Sequence, residues 1–280
     1  MNVNGYEGRD GILDLEQSGL TDLENKAFLS ARSVREVWLP SGIRHIGDWA
    51  FAKCVNLRKV KFADDFRSGL FGKEVFRGCE MLESIGFRGM DAGTEVLLAL
   101  CTNKLAYDHL LRSDDVGQKS WYEKWDISLA AKLKSDDAEA KMSAALCGEE
   151  DISYDGIGSV DGEMPGETED FVKKEEYKKC SLCYIRLSND IYLSEKMRAV
   201  ICDHIIANRF GEGSGYSFSA IFEECGGDLD FLKIYLDIVK PGKQTMKDMI
   251  NAISSKDVYA RSYLMGQSSD SYNALDDMML

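Results

Sequence analysis

Proline and histidine are scarce, with three of each in 280 residues. So little proline excludes a collagen-like or proline-rich chain. His45, His109 and His204 lie far apart in sequence, which argues against a histidine-rich metal site. No run of 18 apolar residues exists, so no transmembrane helix is expected. The opening MNVNGYEGRDG has neither a basic n-region nor an apolar h-region, so it does not read as a secretory signal. The expected location is the cytoplasm; the alternative is the cell surface, for a chain whose leader has been removed. A basic surplus is also missing. Net charge is −14, and residues 1–89 hold 13 acidic and 13 basic side chains, so the surplus lies in residues 90–280. An acidic chain repels nucleic acid and favours solubility or basic partners. The eight cysteines, 54, 79, 101, 147, 180, 183, 202 and 225, are spread over a long chain and read as reduced thiols.

What is present is a repeat. Leu13-x-Leu15, Val37-x-Leu39, Val60-x-Phe62 and Ile85-x-Phe87 recur at spacings of 24, 23 and 25 residues. Phe28, Phe51 and Phe76 keep the same period, followed three residues later by Ala31, Cys54 and Cys79. A fixed period in the twenties means a solenoid with one supersecondary unit per turn. VREVWL, LRKVKF and LESIGF alternate at period two, as half-buried strands do. IGDWAFAKC and GKEVFRGC read as short helical turns whose phenylalanine points inward. The cysteine three residues on is small enough to be buried, and its weak S–H donor can reach a loop carbonyl.

VREVWLPSGIRHIGDWAFAKC (34–54) resembles the BspA-type leucine-rich repeats of bacterial surface antigens, L-x-x-V-x-L-P-x-x-[IV]-x-x-I-G-x-x-A-F-x-x-C. The third unit departs, since ADDFRSGLFGKEVF is two residues longer and lacks the proline. The resemblance implies a parallel-strand solenoid and no catalytic activity.

After Gly89 the spacing becomes helical: Val96, Leu97, Leu100 and Cys101, then Trp121, Trp125, Leu129 and Leu133 on one face. Residues 149–170, Gly-rich and acidic, read as a loop or linker. Short helices resume near Phe171, with Ser194, Ser217 and Asp228 as expected N-caps. WYEKWD, CGEED and YIRLSNDIYLSEKMR are similar to the helical region that follows such repeats in many Firmicute proteins of unassigned activity. The expected fold is thus α+β: a short leucine-rich-repeat solenoid of about four turns over residues 1–89, then an acidic all-helical domain over 90–280.

No catalytic constellation, cofactor motif or metal set is read from the sequence. Cys180-x-x-Cys183 has no second ligand pair and no preceding strand, so core packing is expected. GEGSG (211–215) lacks the Lys-Ser/Thr of a phosphate loop. DGIGSVDGE (155–163) lacks the acidic ladder of a calcium hand. Trp121 and Trp125, at i and i+4, are expected in a core or a docking seam, and His204 in a core.

One binding expectation remains. The residues between the inward pairs, Asp14, Trp38, Lys61 and Gly86, face solvent in this register, flanked by Arg35 and Arg58 at the strand starts. Tryptophan beside cationic groups is a hot-spot composition. These residues are the expected face for an unidentified protein partner. The function expected is therefore a non-enzymatic interaction or scaffold protein. The alternatives are a ligand sensor or enzyme with its site in the helical half, and a carbohydrate-binding surface module.

Overall fold

Alternation of apolar and polar residues sets the strands, because every second side chain must leave water for the same side. The structure, a computed structural model, describes residues 10–67, 69–135, 165–254 and 257–276. Strands β1 (Ile12–Asp14), β3 (Glu36–Leu39), β5 (Lys59–Phe62) and β6 (Ser84–Gly86) form one parallel sheet in the order β1-β3-β5-β6. The register Leu13↔Val37↔Val60↔Ile85 repeats the sequence period, and all four side chains are fully buried. A second, two-stranded parallel sheet pairs β2 (Asp22–Leu23) with β4 (His45–Ile46). Four strands enclose three complete turns of a parallel-strand solenoid.

Inside the solenoid the phenylalanines stack. Phe28 and Phe51 lie 5.3 Å apart at 11°, and Phe51 and Phe76 lie 5.8 Å apart at 10°. The cysteines behave as their size and donor suggest. Cys54 Sγ donates to the Phe28 carbonyl at 3.2 Å and Cys79 Sγ to the Phe51 carbonyl at 3.0 Å, each reaching back one turn.

The side opposite the sheet differs from the short helices expected. It is a run of tight turns in which Lys26, Ser30, Trp49, Lys53 and Glu74 hold positive φ near 48–60°. That geometry turns alternate N–H groups toward the next coil instead of into a helix. Lys26, Phe28 and Ser30 donate to the carbonyls of Asp48, Ala50 and Ala52; Trp49, Phe51 and Lys53 donate to those of Lys73, Val75 and Arg77. These alternate donors are satisfied by the neighbouring coil and tie the coils together as a sheet would, while the donors between them, such as Ala50 and Ala52, bond to carbonyls of their own coil. The Gly in the I-G-D phrase is needed here. A Cβ on Gly47 would stand 2.5 Å from the Asn25 nitrogen. In the space it leaves, Asn25 Oδ1 accepts Asp48 N–H at 2.8 Å; one coil on, Gly72 leaves the same space for Asp48 Oδ1, which accepts Lys73 N–H at 2.7 Å.

By contacts the chain forms two compact units. The first runs through Ala131 and includes Asn189–Ser194; the second comprises Lys132–Ser188 and Glu195 onward. The strand-and-turn repeats stop at β6, but their unit continues past Gly89. Helix α1 (Ala92–Leu100), capped by Asp91 Oδ1 accepting Thr94 N–H at 2.9 Å, packs on β6 and covers that sheet edge. A 3₁₀ turn (Asp108–Leu110) and α2 (Lys119–Lys134) follow. Trp121 and Trp125 are fully buried core residues, their indole N–H groups donating to the carbonyls of Leu110 (3.0 Å) and Leu97 (3.1 Å).

The second unit is an irregular bundle of α3 (Pro165–Ser188), α4 (Glu195–Ala207), α5 (Tyr216–Glu223), α6 (Leu229–Val239), α7 (Lys243–Ala252) and α8 (Val258–Asp276). Helix α3 packs on α4, α5 and α6. The loop expected at 149–170 falls outside the described residues up to 164, and its remainder is corrected: residues 165–170 open α3. Proline at the first helical position is pre-set for a helix, and the acidic residues that follow suit its N-terminal dipole. Asp228 caps α6 as expected. Ser217 does not cap: it is buried within α5, and its single hydroxyl proton is shared between the carbonyls of Asn208 (2.8 Å) and Ile205 (3.0 Å).

Candidate interaction face on the repeat sheet

The strand register brings Asp14, Trp38, Lys61 and Gly86 into one row on the outer side of the sheet, at the pairings Asp14↔Trp38, Trp38↔Lys61 and Lys61↔Gly86. Period two puts them there: each lies between two buried residues of the chain. Trp38 is half-buried. Its Nε1 donates to Glu36 Oε2 at 3.2 Å, and the Lys61 ammonium stands 5.3 Å from its ring centroid. Lys61 also lies 4.0 Å from Glu36 Oε2. The indole is therefore held in place by its own chain, with a cation on its face.

The two arginines differ. Arg58 is paired with Glu83 across the coils, so its charge is partly compensated. Arg35 is exposed, and its aliphatic stem lies along Gly11, where an added Cβ would come 3.2 Å from Arg35 Cγ. Asp14 is exposed and accepts Glu16 N–H at 3.0 Å. At the far end, Gly86 leaves room for the Glu95 carboxylate of α1; a Cβ on Gly86 would stand 2.7 Å from it. The Glu95 carboxyl is raised above the usual range, first by burial and then by Asp91, with Lys61 and Lys59 pulling it back. The row thus runs from an acidic end through an aromatic–cation pair to a carboxylate supplied by α1.

A second tryptophan, this one exposed, lies on the turn side and carries no strand-period signal in the sequence. Trp49 has φ 55° and is 37% exposed. Lys26 Nζ lies 5.3 Å from its ring centroid, and its Nε1 donates to Glu74 Oε2 at 2.7 Å.

Among the described residues, the other sequence candidates form no chemical site. Cys180 and Cys183 are fully buried, and burial is the largest cause raising both thiols well above the ordinary range. Cys180 Sγ lies 3.9 Å from His204 Nε2, and burial lowers that imidazole. An un-ionised, water-excluded thiol beside a neutral imidazole is packing chemistry rather than an activated nucleophile. Among the described residues, no three His, Cys, Asp or Glu side chains are grouped to hold a metal ion, and no helix is long and apolar enough to cross a membrane. GEGSG links α4 to α5, where Ser214 Oγ donates to Asn208 Oδ1 at 2.8 Å. The acidic phrase 155–163 lies outside the described residues.

Residues 13–93 match the family model described as BspA type leucine rich repeat region, in six copies. A search of curated proteins and a search of solved structures each returned no match. Over those residues the repeat segment is similar to BspA-type leucine-rich repeats.

Proposed function

We propose that this chain is a non-enzymatic interaction or scaffold protein whose sheet face, Trp38 and Lys61 with Asp14, Arg35 and Arg58, binds a protein partner. The observation that supports this most directly is the Trp38–Lys61 pair, at 5.3 Å in the middle of the solvent-facing row. An indole already fixed by Glu36 and Lys61 loses little freedom when a partner covers it. The charges around it steer approach and set orientation, while the aromatic area supplies the anchor. A four-stranded face is small, which favours a reversible contact over an obligate one. A reducing, intracellular setting suits this reading, because Cys54 and Cys79 donate their S–H groups to buried carbonyls.

The test is a comparative capture from cell extract with wild-type chain, Trp38→Ala and Trp49→Ala. Trp49 lies on the turn side and serves as the control aromatic. A partner held by wild type and Trp49→Ala but lost with Trp38→Ala supports the sheet face. Binding lost only with Trp49→Ala, or unchanged in both, rejects it.

A further inference from the structure

The third repeat is two residues longer than the second and lacks its proline, and the extra length places Phe66 edge-on against Phe87, at 5.1 Å and 80°. Phe87 is itself stacked on Phe62 at 4.0 Å. The wall lines an open cleft of about 280 Å³ within the first unit, which Met90 and Val116 also line. Arg88 and Gln118 supply polar groups to the lining. None of these residues belongs to the sheet-face row.

We propose that this cleft binds a small aromatic carboxylate. The aromatic half follows from the lining: two phenyl rings and a thioether favour a flat, polarizable ring over an aliphatic chain. The volume lies just under the ~300 Å³ at which pockets begin to hold drug-sized ligands, which fits one ring with a short acid arm. The carboxylate half follows from Arg88. Its Nε and Nη2 hold the Asp65 carboxylate at 3.1 and 3.4 Å, in a pair whose side chains are 67% and 70% exposed. An ion pair so exposed contributes little stability and exchanges readily, and two bonds leave three of the five guanidinium N–H donors for a second acid. The other charge in the lining, Asp91, is directed to α1, where it caps Thr94 N–H and bonds the Thr94 hydroxyl. The cationic group in the lining is thus the one with donors to spare. An open cleft of this size supports roughly millimolar affinity.

The full chain carrying methyl-labelled methionine tests this by NMR, with the Met90 signal assigned through Met90→Leu. Phenylacetate is expected to shift the Met90 methyl saturably; 2-phenylethanol, the neutral analogue, at least about fivefold more weakly; acetate not at all. Arg88→Gln is expected to abolish the preference for acid over alcohol while keeping ring binding, and Phe66→Ala to weaken both. Arg88 is exposed and Phe66 half-buried in a loop, so both variants should fold. No saturable shift with phenylacetate, equal affinity for acid and alcohol, or an unchanged preference in Arg88→Gln would each overturn the proposal.

Discussion

The rings of Phe28 and Phe51 lie 5.3 Å apart and 11° from parallel, and Phe51 repeats the relationship with Phe76 at 5.8 Å. Phe51 is therefore the middle ring of a stack running through the solenoid. Phe51→Ala removes contacts on both of its faces and leaves a cavity that the fixed coil spacing cannot close. The expected cost is about 3–5 kcal/mol, and the repeat unit should melt well below the wild type. A shift under about 3 °C in thermal denaturation would contradict the stack's role.

Gly47 and Gly266 should respond to alanine with opposite signs. At Gly47 the new Cβ meets Asn25 N at 2.5 Å and Asn25 Oδ1, the acceptor of Asp48 N–H, at 2.6 Å. Backbone cannot move aside as a flexible side chain can, so Gly47→Ala is expected to destabilise by about 1–3 kcal/mol. Gly266 lies inside α8, with nothing within 4 Å of its added Cβ. Gly266→Ala should stabilise by up to about 1 kcal/mol, through helix propensity alone. Urea denaturation of the two variants checks both signs; loss of stability in Gly266→Ala would show that the glycine itself is needed there.

How far the sequence could show these features depends on how local their causes are. The strands were legible because a strand's face is set by its own alternation, and the 24-, 23- and 25-residue spacings fix which residues share a row. Trp121 and Trp125, one helical turn apart, were legible as lying on one apolar face for the same reason, though whether in a core or a docking seam was not. The turn side was not. Asp48, Trp49 and Lys53 sit in a phrase with helix-compatible composition, and nothing local marks Trp49 and Lys53 as left-handed. Their conformation is fixed by N–H bonds to Lys73 and Arg77, more than twenty residues away. The same holds for Glu95 over Gly86 and for Phe66 against Phe87. Both come from segments that sequence period does not connect. The helical boundaries of the second unit were missed at Pro165, where Gly and acidic residues read as loop although proline and acid both suit a helix start.

Glu95 gives a pH dependence with a definite sign. Its carboxyl is raised in the folded state, chiefly by burial, so the native protein holds that proton more tightly than the unfolded chain does. The benefit is fully present below the ordinary carboxylate pKa and is lost as pH rises through the folded value. At neutral pH the ionised group is a net cost, reduced by solvent because the side chain is only half-buried. Glu95→Gln should therefore melt slightly higher than wild type at pH 7, by less than about 1 kcal/mol in stability, and the difference should shrink toward pH 4. A variant that melts lower at pH 7 would show that attraction to Lys59 and Lys61 outweighs burial.

The cysteines should divide by depth. Cys54, Cys79, Cys101, Cys180 and Cys183 are buried, whereas Cys202 and Cys225 are half-buried. Thiolate is the reactive form, and for Cys101, Cys180 and Cys183 burial opposes it most strongly. In a Cys147→Ser background, since Cys147 lies outside the described residues, a disulfide reagent at pH 8 should modify Cys202 and Cys225 first. The five buried thiols should react only on unfolding. The same burial bears on metal. Cys180 has His204 at 3.9 Å, but a structural zinc needs four ligands held together, so the purified protein should carry less than about 0.1 equivalent of zinc. Fast native labelling of Cys180 would mean that α3 opens locally at that turn. Stoichiometric zinc lost on Cys180→Ser would mean that the thiols are ligands rather than packing.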